Sequence, residues 1–223
     1  MQDKFNYPDI SSETIEGMRI YVVPPASYYP SITTVLGHTM PQQKRDSLEQ
    51  WKKSIGEQRA REISETATTN GTAVHLLAER YVKKQPIIET GEVFNDHVIK
   101  LFNALKTKLN KIQEVWGQEV ALFSNKIGVA GRCDCIAYYK GKPSIIDYKT
   151  SSKIKDKNDI EDYYLQLCAY AIMHNEMFGT DITQGVVLMT SDGGFPQEFL
   201  VDLNDYVSPL QQRVELFYRQ WLR

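Results

Sequence analysis

The main change in the spacing of apolar positions along this chain falls near residue 112. Most of the stretch before it has apolar positions every three or four residues, as in Phe94, Val98, Leu101, Leu105, Leu109 and Ile112, the period of a helix with one buried stripe. Two amphipathic helices rich in Lys, Arg, Glu and Gln are expected within 41–69, broken by Asn70-Gly71. A third helix is expected from Thr72 and a fourth over 92–112. Ahead of them, residues 18–23 read as a strand ended by Pro24-Pro25, and 29–37 as a short helix with Ser31 as N-cap and Gly37 as its stop. Beyond 112 the pattern shifts toward strands at 115–124, 126–139 and 143–150, a helix over 159–178, strands at 185–190 and 197–201, and a closing helix over 206–222. The order helix, three strands, helix, strand implies an α/β fold with a mixed sheet. The expected organisation is one unit over 1–223, with a helical lobe at 24–112 that carries His75 and an α/β core at 113–223.

Chemistry concentrates where two of the strands meet. The run Gly131-Arg132-Cys133-Asp134-Cys135 and the run Ile145-Ile146-Asp147-Tyr148-Lys149-Thr150 flank Lys140-Gly141-Lys142-Pro143, which reads as a hairpin turn. Alternation puts Asp147 and Lys149 on one face, with Ile146 and Tyr148 on the other, and separates Asp134 from both Cys133 and Cys135. An acid from each strand offers hard oxygen ligands to Mg²⁺, and a lysine two residues on can orient or activate water for phosphodiester cleavage. His75 shares a helical face with Glu79 and is a candidate third ligand, one that suits Mn²⁺ better than Mg²⁺. Glu119, inside an apolar strand, needs a partner; contact with a metal or water and pairing with a lysine or arginine both stay open. Gln166 and Tyr170 lie one turn apart, with His174 continuing the stripe, as uncharged groups able to position phosphate or water.

Composition narrows the partners. With 223 residues and a formal charge of −2, a nucleic-acid partner would need a local basic patch. From Lys140 to Lys157 six lysines stand against two acids, a segment expected to wrap the metal site, with Lys153, Lys155 and Lys157 as candidate DNA contacts. Ser31, Thr33 and Thr34 are further candidate phosphate contacts. The three cysteines fit neither a disulfide framework nor a four-thiolate cluster, and are expected to be reduced and mostly buried. No apolar stretch has the length of a membrane helix, and the opening residues show neither a signal-peptide core nor transit character, so a cytoplasmic location is expected.

Gly-Thr-Ala-Val-His at 71–75, Gly131-Arg132-Cys133-Asp134, Asp147-Tyr148-Lys149-Thr150 and Gln166-Leu167-Cys168-Ala169-Tyr170 resemble, in order and spacing, the motifs of RecB-type PD-(D/E)xK nucleases. The opening Tyr29-Pro30-Ser31-Ile32-Thr33-Thr34-Val35-Leu36 and the basic helix around Trp51 are similar to the phage and mitochondrial exonucleases of that family. The resemblance implies a restriction-endonuclease-like core. It also implies that His75, Asp134, Asp147 and the Tyr148 carbonyl hold Mg²⁺ or Mn²⁺, that Lys149 is the catalytic lysine, and that Gln166 and Tyr170 form the family's Gln-x-x-x-Tyr pair. Glu119 falls on a commonly acidic position. The four cysteines of the iron–sulfur relatives are missing, so no cluster is expected. The implied activity is a DNA exonuclease acting on single strands with free ends in recombination, repair or degradation, in a bacterium or phage-infected cell. The alternatives are a structure-selective endonuclease, which would share every catalytic residue, and a silent DNA-binding subunit, which would be free to lose them.

Overall fold

The computed structural model describes residues 3–221; Met1 and Gln2 of the opening, and Leu222 at the end of the predicted closing helix, lie outside the described residues. A small antiparallel sheet comes first, from β1 (Ser12–Ile15), β2 (Met18–Val23) and β3 (Ser27–Pro30). The sequence pattern identifies only β2, because its neighbours, at four residues each, are too short to show a period. Four helices follow: α1 (Ile32–His38), α2 (Gln42–Ile55), α3 (Glu57–Val82) and α4 (Asp96–Leu109). The main sheet has the order β4 (Ile112–Ser124), β5 (Val129–Tyr139), β6 (Lys142–Ser151), β7 (Gln184–Ser191), β8 (Pro196–Asp202). Its strands are antiparallel apart from β6 and β7, which run parallel and are joined through α5 (Glu161–Phe178); α6 (Val207–Trp221) closes the chain.

Both faces of the main sheet are covered, which explains its alternating apolar strands. Ile145, Val187 and Met189 point to α5, while Ile146, Tyr148, Val186 and Leu188 point to α3 and α4. The stripe Val98, Leu101, Leu105, Leu109 on α4 packs into the second cluster, and Asn95 caps that helix by accepting from the Val98 amide at 2.8 Å. The N-terminal sheet joins the main one through a bridge between Ser31 and Ala130, and through Ile10, Tyr21 and Val23 packed on Ala121 and Ala130. The β5–β6 hairpin turns on Lys140 (φ 51°) and Gly141 (φ 82°), the two left-handed residues that a type I′ turn requires.

Two helix boundaries depart from the sequence reading. Asn70-Gly71 does not break the helix; α3 continues through it to Val82. Gly71 faces β6, where a β-carbon would make an ordinary contact 3.4 Å from Thr150 Oγ1, and the propensity cost of one helical glycine, about 1 kcal/mol, does not stop α3 from continuing. Gly37 likewise lies inside α1, which ends at Thr39, whose hydroxyl donates to the Val35 carbonyl at 2.7 Å.

His174, predicted to continue a polar stripe, is fully buried between Thr180 Oγ1 (2.7 Å from Nδ1) and Tyr7 Oη (3.1 Å from Nε2). Burial pushes its pKa down from 6.5 to about 4, so the folded state holds it neutral while the unfolded chain protonates it below 6.5. Its contribution to stability is therefore complete above pH 6.5 and is lost as pH falls through 4, about 3 kcal/mol in all. Urea midpoints measured across this window should decline with acid in the parent chain and decline less in His174→Gln. Parallel profiles would sink this account.

Candidate active site

The site forms where β5 and β6 part. Their pairing runs from Tyr139↔Lys142 to Cys135↔Ile146 and stops, so Asp134 lies just beyond the last paired residue. There its carboxylate takes the place of a backbone acceptor: the Tyr148 amide donates to Asp134 Oδ2 at 2.8 Å. On the opposite strand Glu119 is left-handed, with φ 54°. These irregularities flank a slip in alternation, because Cys133 packs toward α5 and Cys135 toward α3 and α4. The expectation that one face would hold both cysteines is thus corrected. The other cysteine expectation holds, since all three are free and buried.

His75, reaching in from α3, places Nδ1 3.4 Å from Asp134 Oδ2, and its ring stands edge-on to Tyr148 with centroids 5.8 Å apart. Ligand atoms of His75, Glu119 and Asp134 all lie within 4.8 Å of one another. Asp147 is outside that group. It is 1% exposed on the α5 side, its Oδ1 accepts from Gln166 Nε2 at 3.2 Å, and its Oδ2 forms an ion pair with Lys149 Nζ. Gln166 Nε2 also donates to Tyr170 Oη at 3.3 Å. Tyr170 lies so close to β5 that a β-carbon at Gly131 would sit 2.7 Å from its ring, which explains glycine there. Tyr148 meets Asp134 through its amide, while its ring is buried on the opposite face.

A divalent ion fits this donor set. Burial first, then the charges of Asp134 and Glu79, push the Glu119 carboxyl up to about 7, so the acids crowd together more than their surroundings neutralise. Among the described residues no lysine or arginine forms an ion pair with Glu119; Arg132 instead donates to its backbone carbonyl. An imidazole nitrogen with carboxylate oxygens suits Mn²⁺ or Mg²⁺. Burial also raises Asp147, to about 6, against the opposing pull of Lys149. For Lys149 the lowering effect of burial is outweighed by Asp147 and Asp134, and its pKa rises. Its ammonium stands 5.0 Å over the Tyr163 ring.

A cleft of about 600 Å³ opens onto the group, with Ser31, Thr33, Gln166 and Tyr170 in its walls. Ser31 is committed to capping: its hydroxyl accepts from the Thr34 amide at 3.0 Å and donates to Thr34 Oγ1 at 2.8 Å. Thr33 is exposed and Thr34 half-buried. The lysine-rich segment does not wrap the site as expected. Lys140 pairs with Glu198, and Lys140 and Lys142 stand at the far end of β6, roughly 23 Å of strand from Lys149. Lys153 and Lys157 are exposed beyond the near end, while Lys155 is held by Gln197 through bonds of 2.9 and 2.8 Å. Arg19 and Arg132, which also line the cleft, were not singled out by the sequence reading. Arg132 had a signal in its place beside Asp134; Arg19 had none.

Residues 92–193 match the family model described as the PD-(D/E)XK nuclease superfamily. The matched residues hold β4 to β7 and the side chains of Glu119, Asp134, Asp147 and Lys149, while His75 lies outside them, so this region is similar to nucleases of that superfamily. Among individual proteins, the chain is similar to mitochondrial genome maintenance exonuclease 1 of Mus musculus, at 28% identity over 75% of this chain and 51% of that protein. The Xenopus tropicalis protein of the same name is 29% identical over 75% and 50%, and the Homo sapiens one 28% over 75% and 50%. The chain thus spans about half the length of the curated relatives it matches. A crystal structure of an exonuclease candidate from Eubacterium rectale overlaps 67% of this chain and 66% of its own, at 13% identity and a TM-score of 0.46, a likeness that adds nothing to the assignment. Among the described residues no helix is long and apolar enough to cross a membrane.

Proposed function

We propose that this chain is a metal-dependent DNA exonuclease that prefers single strands with free ends. The observation that carries the reading is the convergence of His75, Glu119 and Asp134 beside the buried Asp147–Lys149 pair. His75, Glu119 and Asp134 would hold the ion, a reading that takes Glu119 as a metal contact and is supported by its closeness to the other two; Asp147 would complete the set. The Tyr148 carbonyl stays in the ligand set on family resemblance alone. When bound, Mg²⁺ or Mn²⁺ supplies positive charge for a phosphate oxygen and makes water more acidic. Lys149, whose pKa is raised, stays protonated and so orients water and stabilises developing charge without taking a proton. Gln166 fixes the Asp147 carboxylate, and Tyr170 fixes Gln166. The attacking water forms the new P–O bond and releases one proton to solvent as the ester P–O bond breaks, and the departing oxygen takes up a proton from solvent, so no proton is gained or lost overall.

The chain acts as one unit over 1–223 in this reading, with the lobe at 24–112 guiding a strand and the core at 113–223 cutting it. Lys153, Lys155, Lys157 and Thr33 touch the strand. The relatives' name supports exonuclease action, and the similarity of the 29–36 motif to phage enzymes supports a bacterial or phage-infected cytoplasm and a role in recombination, repair or DNA degradation. The test is release of acid-soluble nucleotides from end-labelled single-stranded DNA. Release should require Mg²⁺ or Mn²⁺, stop on chelation and resume on adding back metal. Release that persists in excess chelator would overturn metal dependence.

A further inference from the structure

Next to the metal cleft lies a second concavity, of about 560 Å³, and the two share Arg19 and Thr33 in their walls. Their linings differ in charge. Glu79, Glu119 and Asp134 line the first together with Arg19 and Arg132, whereas the second has Arg19, Arg45 and His38 and no carboxylate. Three elements build it in fixed relation. The Arg19 amide on β2 donates to Thr34 Oγ1 on α1 at 3.1 Å. His38 at the end of α1 donates from Nδ1 to the Thr34 carbonyl at 3.0 Å and stands edge-on to Phe217. Arg45, near the start of α2, reaches the His38 carbonyl from Nη2 at 3.3 Å. Among the described residues neither Arg19 nor Arg45 pairs with a carboxylate, a state shared by Arg61 and Arg132, while Arg59, Arg80, Arg213 and Arg219 do; Arg19 and Arg45 are the two that line this concavity. Two guanidinium groups left without acids, facing a concave wall that also carries hydroxyls, match the planar donor demand of a phosphate group.

We propose that this pocket is a phosphate subsite for the DNA strand lying in the metal cleft, gripped by Arg19 and Arg45 with the Thr33 hydroxyl beside them. The inference rests on the nuclease reading, which puts a strand in the adjoining cleft. Because the two cavities share a wall, the phosphate held here is a near neighbour of the one being cut. It is either an internal phosphate of the strand or a terminal one.

The test compares the parent chain with Arg19→Gln/Arg45→Gln and Arg19→Lys/Arg45→Lys. Binding of a dye-labelled oligothymidine is followed by anisotropy in chelator, so the readout is independent of cleavage. The Gln pair should weaken binding by about tenfold and flatten its salt dependence by roughly 0.7 log unit, the value for one single-strand phosphate. The Lys pair should keep the salt slope and lose part of the affinity, because lysine lacks the bidentate fork. In metal, KM should rise with kcat retained. Equal losses on oligonucleotides with and without a terminal phosphate assign an internal phosphate, and losses confined to phosphorylated ends assign a terminal one; both support the pocket. Unchanged affinity and slope in folded Gln variants overturn it. If the Gln pair fails to fold, unchanged affinity in the Lys pair does the same. A parent chain that binds through these arginines but cleaves nothing would overturn the nuclease reading and leave the phosphate pocket standing.

Discussion

Asp147→Asn and Lys149→Ala should each lower DNA cleavage on the order of 10²–10³-fold or more, the scale of losing a group that acts on developing charge. Their effects on folding should differ. Asp147 is 1% exposed, and its partners are Lys149 and Gln166. Asparagine keeps the volume and an oxygen for Gln166, although it leaves the Lys149 ammonium, itself partly exposed, without its anion. Lys149→Ala instead strands a buried carboxylate, a change that costs roughly 3–5 kcal/mol when such a pair is broken. The double variant should therefore be more stable than Lys149→Ala alone and equally inactive, a non-additivity that a merely structural pair would show in stability but not in turnover. Circular dichroism, urea midpoints and single-turnover cleavage together decide the matter. Near-parent turnover in either single variant would remove Asp147 and Lys149 from the catalytic assignment.

That pair was legible in the sequence because its logic is local. Ile145 to Lys149 alternate strictly, Lys140-Gly141 supplies the left-handed turn, and the face carrying Asp147 and Lys149 follows from parity. Asp134 was legible as a site residue but not in its surroundings. The slip in alternation between Cys133 and Cys135 arises where β6 leaves β5 and where Glu119 turns left-handed, events that depend on strands distant in sequence. The gathering of Glu119 with His75 and Asp134 escaped for the same reason: a glutamate in an apolar strand announces a need for a partner, not which one. Gly71 misled because a single glycine inside a helix costs only about 1 kcal/mol, which the packing of the rest of α3 on its neighbours outweighs and the local sequence does not record. The arginine pocket needs β2, α1 and α2 to be placed together, and no period in the sequence records that.

Linear single-stranded DNA should be degraded to short oligonucleotides, whereas closed circular single strands should survive under the same conditions. The motivation is the helical hairpin formed by α2 and the first half of α3. No residue of α2 is buried, and of the α3 residues before Asn70 only Ala60 is, so the hairpin stands away from the core. Gly56, with φ 86°, makes the sharp joint between the two helices. Beneath it a cavity of about 760 Å³ runs between Trp51, Arg59 and Ile63 on one side and Thr150, Ser151 and Ser152 at the end of β6 on the other, across α3 from the metal cleft. A strand passing under the hairpin would stack a base on Trp51, a contact worth about 1–3 kcal/mol whatever the base, so cutting should be nearly independent of sequence. Blunt duplex should be slow, because its end must unpair before one strand can enter. Trp51→Ala should raise KM on linear strands more than it lowers kcat, since Trp51 lies apart from the ligand group. Rapid cutting of the closed circle would overturn entry by an end and favour an endonuclease working on the same metal site, because His75, Glu119, Asp134 and Asp147 would serve either mode of access.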